Sequence, residues 1–397
     1  MPSRRRLLRS AAALAALLPP VARVARGAGA PLALLLDDDG RRLAVIDTAT
    51  LEPLRRWPVD GAAHGEPALT PDGREAFLAL RDGAIARYDL GSGARTARVQ
   101  AGADPRGLAL AGDGQWLLAA HADALTVFDR ELQPLRRYSA ASLDGKLTSP
   151  VAAVFHAAGR RSFIVAFDAL PELWEISYDR AAPPIFDGLV HDYRMGESIA
   201  SSGFLGVRRT PLEEPFTALA LDGGGQRHVL GFAAPDAALD VVNLDVRRRI
   251  ARLADLPCSV APAAFAVQGR TLAAVAGTDA VLRIAEAGPW RLVRSVALPG
   301  RPLFVHTQAR SPHLWVGLQL NADEAMLAIV DKASLAPAGS AAVSGRLLGD
   351  IALSRDGSQA WAAVRREHGD GLALCPARPA HAVRWLPTAA APRAWAL

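Results

Sequence analysis

Apolar and polar positions alternate along most of the chain in short segments, and turn-forming residue pairs separate these segments. The pairs recur at intervals of 33, 41, 45, 66, 44, 43 and 45 residues. Alternation over four to eight residues is typical of half-buried β-strands, and no unit has a convincing helical period. The pairs are, in chain order, Asp39-Gly40, Asp72-Gly73, Asp113-Gly114, Gly159-Arg160, Gly224-Gly225, Gly269-Arg270, Ser311-Pro312 and Asp356-Gly357.

Most of these intervals have the same internal order of predicted strands. An apolar strand precedes the turn, a second strand follows it, and a third strand ends in aspartate, as in IARYDLGSGARTARV and LTVFDRELQPLRRY. Four strands in roughly 40–45 residues are typical of one β-propeller blade. The sequence therefore predicts an all-β chain whose residues 31–397 form one eight-bladed β-propeller. A seven-bladed ring with one degenerate unit is the alternative.

The first unit lacks an innermost strand, and the C-terminal segment has a sequence that fits this position. PRAWAL at 392–397 resembles PRGLAL at 105–110, the predicted innermost strand of the third blade. We expect the C-terminal segment to pair with the strand PLALLL and to close the ring. Closure by the last strand would remove an open sheet edge, which is otherwise prone to aggregation.

The longest interval contains an insertion at about 178–214 that does not resemble the blades. It is rich in proline and glycine, and long irregular loops on a rigid scaffold often carry function. A surface flap whose aromatic residues pack on the rim is the structural alternative. Among the aromatic and charged residues of this segment are His191, Tyr193, Arg194, Arg208 and Arg209.

The first 30 residues have the features of a twin-arginine signal peptide. A basic stretch, Ser3 to Leu8, precedes the apolar stretch AAALAALLPP, which is too short to span a bilayer. This predicts export to the periplasm and no transmembrane segment in the mature chain, although a basic start on a cytosolic protein is an alternative. Without these residues the chain has 39 basic and 40 acidic side chains, so its charge gives no indication of nucleic-acid binding.

Two cysteines, Cys258 and Cys375, are the only thiols of the chain. Neither belongs to a CxxC or CxxCH motif, so the sequence predicts no attached c-type haem and no thiolate zinc site. A disulfide between them is compatible with export, but the sequence leaves their pairing open.

Two segments resemble the cytochrome d1 propeller family, which comprises haem d1 nitrite reductases and the haem d1 biosynthesis protein NirF. HGEPALTPDGREAFLALRDG at 64–83 has a histidine that opens a strand, a D-G-R turn and a later RDG. PLFVHTQARSPHLWVG at 302–317 resembles the family's strand, turn and aromatic-containing strand. At blade level the resemblance covers most of residues 31–397, and the layout without a cytochrome c domain is similar to NirF.

The resemblance implies that the central channel of the propeller binds haem d1 or a precursor and that His64 is the axial ligand of its iron. A neutral imidazole among small residues leaves room for a flat macrocycle, although an exposed loop histidine needs no ligand. Arg81 and Arg74 match family arginines that suit the cofactor's carboxylates, although a turn arginine such as Arg74 is more often simply solvated. His306 and Arg194 complete the candidate cofactor-binding residues.

Two departures from the family pattern concern the groups expected to protonate nitrite. Pro257-Cys258-Ser259 stands where the family has Pro-His, and the histidine that opens a strand in the last blade is missing, with Asp350 nearby. We therefore expect a protein of haem d1 maturation or nitrite reductase assembly, and not a self-sufficient nitrite reductase. Its partners would be a tetrapyrrole and a periplasmic cytochrome or nitrite reductase. A tetrapyrrole oxidoreductase and a cofactor-free binding module are the alternatives.

Overall fold

The computed structural model describes residues 32–37, 39–186, 200–223, 226–354, 356–377, 382–388 and 392–397. Eight four-stranded antiparallel sheets and one two-stranded sheet make up almost all of its regular structure. One short 3-10 turn, Ala158–Arg160, is the exception. The eight sheets are the blades of an eight-bladed β-propeller, so the predicted fold is confirmed and the seven-bladed alternative is wrong. The predicted signal peptide, residues 1–30, lies outside the described residues.

The first four blades follow one another in chain order, with one extra hairpin in the fourth. Their strands are β1 (Leu32–Asp37), β2 (Arg42–Asp47) and β3 (Pro53–Pro58) in the first blade; β4 (Ala63–Leu69), β5 (Glu75–Leu80), β6 (Ala84–Asp89) and β7 (Arg95–Gln100) in the second; β8 (Pro105–Leu110), β9 (Trp116–His121), β10 (Ala124–Asp129) and β11 (Pro134–Ser139) in the third; and β12 (Val151–Ala157), β13 (Ser162–Phe167), β14 (Glu172–Ser177) and β17 (Val207–Pro211) in the fourth, with β15 (Ile185–Phe186) and β16 (Ala200–Ser201) forming the hairpin.

The remaining four blades have the same order, and the last strand of the chain returns to the first blade. Their strands are β18 (Ala218–Leu221), β19 (His228–Phe232), β20 (Ala237–Asn243) and β21 (Arg248–Cys258) in the fifth blade; β22 (Ala263–Val267), β23 (Arg270–Ala276), β24 (Val281–Glu286) and β25 (Arg291–Ala297) in the sixth; β26 (Arg301–His306), β27 (His313–Gln319), β28 (Glu324–Asp331) and β29 (Pro337–Ser344) in the seventh; β30 (Arg346–Leu353), β31 (Gln359–Arg366), β32 (Gly369–Pro376) and β33 (Arg384–Pro387) in the eighth; and β34 (Arg393–Ala396) in the first.

The C-terminal strand closes the ring. β34 pairs antiparallel with β1, so that Trp395 lies opposite Leu34, and it completes the first blade as the innermost strand. The amide of Leu397 also donates a hydrogen bond to the carbonyl oxygen of Leu32 at 2.9 Å. The closure predicted from PRAWAL is therefore confirmed, and the first and last parts of the propeller are joined in one sheet.

The core consists of apolar clusters between neighbouring blades. Among the described residues there are eight clusters, one for each pair of adjacent blades. Successive residues of β1 face opposite neighbours: Ala33 and Leu35 pack against the eighth blade, whereas Leu34 and Leu36 pack against the second. Because both faces of an inner strand are buried, its sequence is a continuous apolar run rather than a strict alternation.

Part of the predicted insertion at 178–214 belongs to a blade. β17 pairs with β14 and is the outermost strand of the fourth blade, and it contains Arg208 and Arg209. The guanidinium of Arg209 lies 4.2 Å from the ring centroid of Trp174, and this contact holds β17 on the blade. The hairpin β15–β16 precedes β17. His191, Tyr193 and Arg194 lie outside the described residues.

Both cysteines are free and buried, each in a different inter-blade cluster. Cys258 lies between the fifth and sixth blades, and Cys375 lies between the seventh and eighth. Burial raises the pKa of each thiol to about 12. The open question of their pairing is thus answered in this structure, in which they form no disulfide. The described residues contain no helix long and apolar enough to cross a membrane.

Buried histidines will make the stability of the fold depend on pH. Desolvation lowers the pKa of His121, His156, His228 and His313 below the ordinary value of 6.5. Burial therefore favours the neutral imidazole in the folded chain, and the unfolded chain binds more protons once the pH falls below about 6.5. We expect the free energy of unfolding to fall as the pH decreases from 7.5 to 5.5.

His121 is the most direct test, because it is 1% exposed and its Nδ1 has no hydrogen-bond partner among the described residues. His121→Leu is expected to reduce the slope of unfolding free energy against pH by up to about 1.4 kcal/mol per pH unit, the value for one proton. Urea denaturation at several pH values measures this slope. The control is His368→Leu, which removes an exposed histidine in place of a buried one. Equal slopes for the wild type and His121→Leu would contradict the prediction.

Candidate functional site

The innermost strand of the second blade, β4, carries a wide bulge directly after His64. His64 pairs with Ala79, and the next pair joins Ala68 to Phe77, so three residues of β4 lie opposite one residue of β5. Gly65 in the bulge has φ +72°, and a Cβ atom there would meet nothing within 4 Å. Bulges re-aim side chains and occur next to active sites. The bulge therefore presents an open backbone segment beside the imidazole.

The imidazole of His64 is exposed, and the described residues provide it with no hydrogen-bond partner. The start of β4 is nevertheless fixed, because the amide of Ala63 donates to the carbonyl oxygen of Gly40 at 2.8 Å. The two backbones approach so closely that a Cβ atom on Gly40 would lie 2.3 Å from the Ala63 oxygen. An unengaged imidazole on a fixed backbone is suited to ligate a metal ion carried by a ligand.

A cavity of about 620 Å³ lies beside this bulge and is lined largely by innermost strands. These strands belong to four consecutive blades: β26 of the seventh, β30 of the eighth, β34 of the first and β4 of the second. The volume lies within the range of roughly 300–1,000 Å³ typical of small-molecule sites. His64 does not line this cavity, but the wall includes Glu66 from the same bulge. The polar residues of the wall are Glu66, His306, Gln308, Asp350, Arg365 and Arg393.

His306 and Asp350 form a pair in the wall of this cavity. The Nδ1 atom of His306 lies 2.9 Å from Oδ2 of Asp350, and β30 is bulged immediately before Ile351. An ionised carboxylate can only accept, so the imidazole donates from Nδ1, and in its neutral form Nε2 is then a proton acceptor. The two side chains are 31% and 51% exposed, and Nε2 is thus available to a bound molecule.

Arg393 connects the C-terminal strand to the bulge of β4. Its guanidinium donates to the carbonyl oxygen of Gly65 at 3.0 Å, and among the described residues it has no carboxylate partner. Arg365, which also lines the cavity, is paired with Asp370 at 3.0 Å. Arg393 is therefore the arginine best able to bind a ligand carboxylate. One signal for Arg393 is visible in the sequence, since PRAWAL has an arginine at the same position as PRGLAL.

Of the residues singled out in the sequence, His306 lines the cavity, and His64 directly precedes the bulge whose Glu66 lines it. The backbone of Arg81 adjoins the start of β4 through a 2.8 Å bond to Ala62, but its guanidinium is paired with Asp39 at 2.7 Å. Arg74 lies in the turn beyond the other end of β4, its side chain is 68% exposed, and among the described residues its one ion-pair partner is Asp72. Arg194 lies outside the described residues.

The two departures from the family pattern have different surroundings. The thiol of Cys258 is buried, with Sγ 3.4 Å from the Leu256 carbonyl oxygen. A thiol in this position with a raised pKa is a poor proton donor to a channel ligand. Asp350 lines the channel cavity, where it orients His306.

The residues present fit a flat, carboxylated, metal-bearing macrocycle. His64 offers an unengaged nitrogen, Arg393 offers a guanidinium, and Leu69, Ile351 and Trp395 add apolar surface to the wall. Among the described residues, no three histidine, cysteine, aspartate or glutamate side chains are grouped to hold a metal ion by themselves.

Comparisons with known proteins show similarity to a protein family, to a curated protein and to a solved structure. The family model described as "Cytochrome D1 heme domain" matches residues 30–187 and 238–390. The dihydro-heme d1 dehydrogenase of Pseudomonas aeruginosa (strain PAO1) is 28% identical over 364 residues, which cover 90% of this chain and 69% of that protein. The solved structure of dihydro-heme d1 dehydrogenase NirN in complex with DHE has a TM-score of 0.73 at 26% identity, and the match covers 91% of this chain and 74% of that chain.

Proposed function

The chain belongs to the cytochrome D1 heme domain family, and we propose that it binds haem d1 or a precursor of it in haem d1 maturation. The family model matches the segments that contain His64, His306 and Asp350. The observation that carries the proposal is the unengaged imidazole of His64 on the β4 bulge, beside a channel cavity whose wall contains Arg393. In this role His64 ligates the tetrapyrrole iron, and Arg393 binds one of its carboxylates.

Binding is tested by equilibrium dialysis of the purified protein against haem d1 and against dihydro-haem d1. One tetrapyrrole per chain is the expected result. Haem b, which has only two carboxylates, is the control and should bind more weakly, because fewer groups are available to the guanidinium. A protein that binds neither haem d1 nor its dihydro form, under oxidising and reducing conditions, would overturn the proposal.

A second candidate function is the oxidation of a dihydro form of the tetrapyrrole. It is favoured by the pair His306–Asp350, in which Nε2 of the imidazole is free to accept a proton. Formation of one C=C bond from a saturated C–C bond releases two electrons and two protons. His306 would take one of the protons and solvent the other, and a one-electron acceptor such as a periplasmic c-type cytochrome would take the electrons in two steps.

Replacement of His306 separates this function from binding. We expect His306→Asn to lower the rate of dihydro-haem d1 oxidation by about 100-fold or more, the usual contribution of a general base. Binding should change little, because the asparagine amide can still donate to Asp350. Stopped-flow absorption with an excess of electron acceptor measures the rate. A variant that oxidises the substrate at the wild-type rate would exclude His306 as the base and leave the binding function standing.

Export to the periplasm by the twin-arginine route is the third part of the proposal and rests on the stretch from Ser3 to Leu8. Replacement of Arg4, Arg5 and Arg6 together by lysine should leave the precursor in the cytoplasm, because the export machinery requires the arginine pair. Cell fractionation followed by immunoblotting measures the distribution. The wild-type chain should reach the periplasm, and equal periplasmic amounts of the variant would contradict this route.

If the chain is exported, a periplasmic nitrite reductase would be the acceptor of the finished cofactor.

A further inference from the structure

Lysine is almost absent from the chain, and one of its two lysines is buried. Of the 45 lysine and arginine residues, only Lys146 and Lys332 are lysines. Lys146 is 84% exposed at its side chain, whereas Lys332 is 4% exposed as a residue. Lysine is seldom fully buried without a partner of opposite charge. The position of Lys332 therefore requires an explanation that the fold alone does not supply.

Lys332 follows β28, in the turn that leads to β29, and its ammonium group extends to a loop of the same blade. Its Nζ donates to the carbonyl oxygen of Gln308 at 2.8 Å and lies 5.7 Å from the ring centroid of Phe265. No carboxylate among the described residues lies within ion-pair distance of it. The nearby ionisable groups are His313, whose pKa is lowered first by burial and then also by the lysine's charge, and Asp331, whose carboxylate accepts hydrogen bonds from Ser334.

Gln308, whose carbonyl oxygen accepts the hydrogen bond from Lys332, connects the two strands that carry the His306–Asp350 pair. His306 is the last residue of β26, and Gln308 lies two residues beyond it. Its side-chain amide donates to the carbonyl oxygen of Ser354, which directly follows β30, the strand that contains Asp350. Gln308 also lines the channel cavity. One ammonium group, one glutamine and one backbone carbonyl therefore bridge the ends of β26 and β30.

We propose that Lys332 is a positioning residue that, through Gln308, holds His306 and Asp350 in hydrogen-bonding register in the channel wall. The positioning itself is a property of the ligand-free protein. Only its effect on a bound tetrapyrrole rests on the proposed function. A lysine ammonium group is a compact donor that reaches one carbonyl, whereas a guanidinium is planar and forked. The buried one of the two lysines, Lys332, thus lies where a single charged donor is needed.

The charge of Lys332 is conditional. Burial lowers its pKa from 10.5 to about 8, so in the folded chain the ammonium form predominates at pH 7 and the neutral amine predominates above about pH 8. The unfolded chain binds more protons between pH 8 and 10.5, so deprotonation of this lysine raises the free energy of unfolding as the pH rises through that window. The same deprotonation replaces a charge-assisted hydrogen bond to Gln308 by a weaker neutral one. Global stability and local register should therefore respond to pH in opposite directions.

Nuclear magnetic resonance of the ligand-free protein tests the proposal. Lysine labelled with 13C gives two Cε signals, assigned with Lys146→Met. The 13Cδ2 shift of His306, assigned with His306→Asn, reports which ring nitrogen carries the proton. In the wild type at pH 7 we expect the Nδ1-protonated tautomer, and a shift toward the Nε2-protonated tautomer at the pH where the Lys332 signal titrates.

The variants separate positioning from folding. Lys332→Met should give the Nε2-protonated tautomer at every pH from 7 to 9.5, as should Asp350→Ala, which removes the acceptor of the Nδ1 proton, and Lys146→Met should behave as the wild type. Relative to Lys332→Met, the wild type should gain stability between pH 8 and 10.5. If the 13Cδ2 shift of His306 in the wild type does not change at the pH where the Lys332 Cε signal titrates, the proposal is overturned without any variant. A positive result in a protein that binds no tetrapyrrole would leave the positioning intact and remove only the proposed function.

Discussion

Removal of residues 392–397 will lower the melting temperature of the protein more than any single substitution considered for this chain. The deletion eliminates β34, whose four paired positions with β1 complete the first blade. It also removes Ala394, which is buried between the first and eighth blades, and Trp395, which packs against the cluster between the first and second. The loss leaves the inner edge of β1 unpaired, and unpaired backbone groups that remain buried each cost about 1–3 kcal/mol.

We expect a loss on the order of 3 kcal/mol or more, since several hydrogen bonds and a large side chain are lost together. Differential scanning calorimetry measures the shift. The control is deletion of Leu397 alone, which removes one hydrogen bond to Leu32 and keeps β34. A chain without residues 392–397 that melts at the wild-type temperature would contradict closure by this strand.

Replacement of His64 by alanine is expected to abolish the absorption change that accompanies tetrapyrrole binding. Ligation by imidazole alters the Soret region of a haem-type cofactor, and no other described residue on the β4 bulge can replace a histidine as the ligand. The exposed His368 lies in a turn of the eighth blade and gives the control His368→Ala, which should keep the wild-type spectrum. A His64→Ala protein with the wild-type spectrum would exclude His64 as the axial ligand.

The Arg393→Gln variant distinguishes loss of ligation from loss of affinity. It should retain the spectral change but weaken binding roughly 10- to 150-fold, the equivalent of a charge-assisted hydrogen bond of about 1.5–3 kcal/mol. Arg74→Gln is the matched control, because Arg74 lies in an exposed turn beyond the far end of β4. Equal affinities of the wild type and Arg393→Gln would remove this arginine from the binding site.

The fold was predictable because its information is local and repeated. Turn pairs and alternating strands recur in every blade, and the similarity of PRAWAL to PRGLAL identified the closing strand without any knowledge of contacts. The predicted insertion was too long at its C-terminal end, since β17 has the arginines and the proline of a loop and yet forms an edge strand. Outer strands have only one buried face, so their pattern is less distinct from that of a loop.

The site was only partly predictable, because it depends on contacts that form when the ring closes. The bulge after His64 follows from the register of β4 with β5, and the sequence suggested it only by a glycine next to a histidine. The pair His306–Asp350 joins residues that are 44 positions apart in neighbouring blades. The bond from Arg393 to Gly65 joins residues that are 328 positions apart. Neither contact leaves a signal in the spacing of residues within one blade.

Electron spin-echo spectroscopy of the ferric tetrapyrrole complex, with histidine labelled by 15N, tests most directly whether His64 holds the iron. We expect the nuclear modulation of a coordinated 15N imidazole in the wild type and in His368→Ala, and its absence in His64→Ala. The same 15N modulation in His64→Ala, or none in a wild-type protein with the tetrapyrrole bound, would show that His64 is not the ligand of the iron.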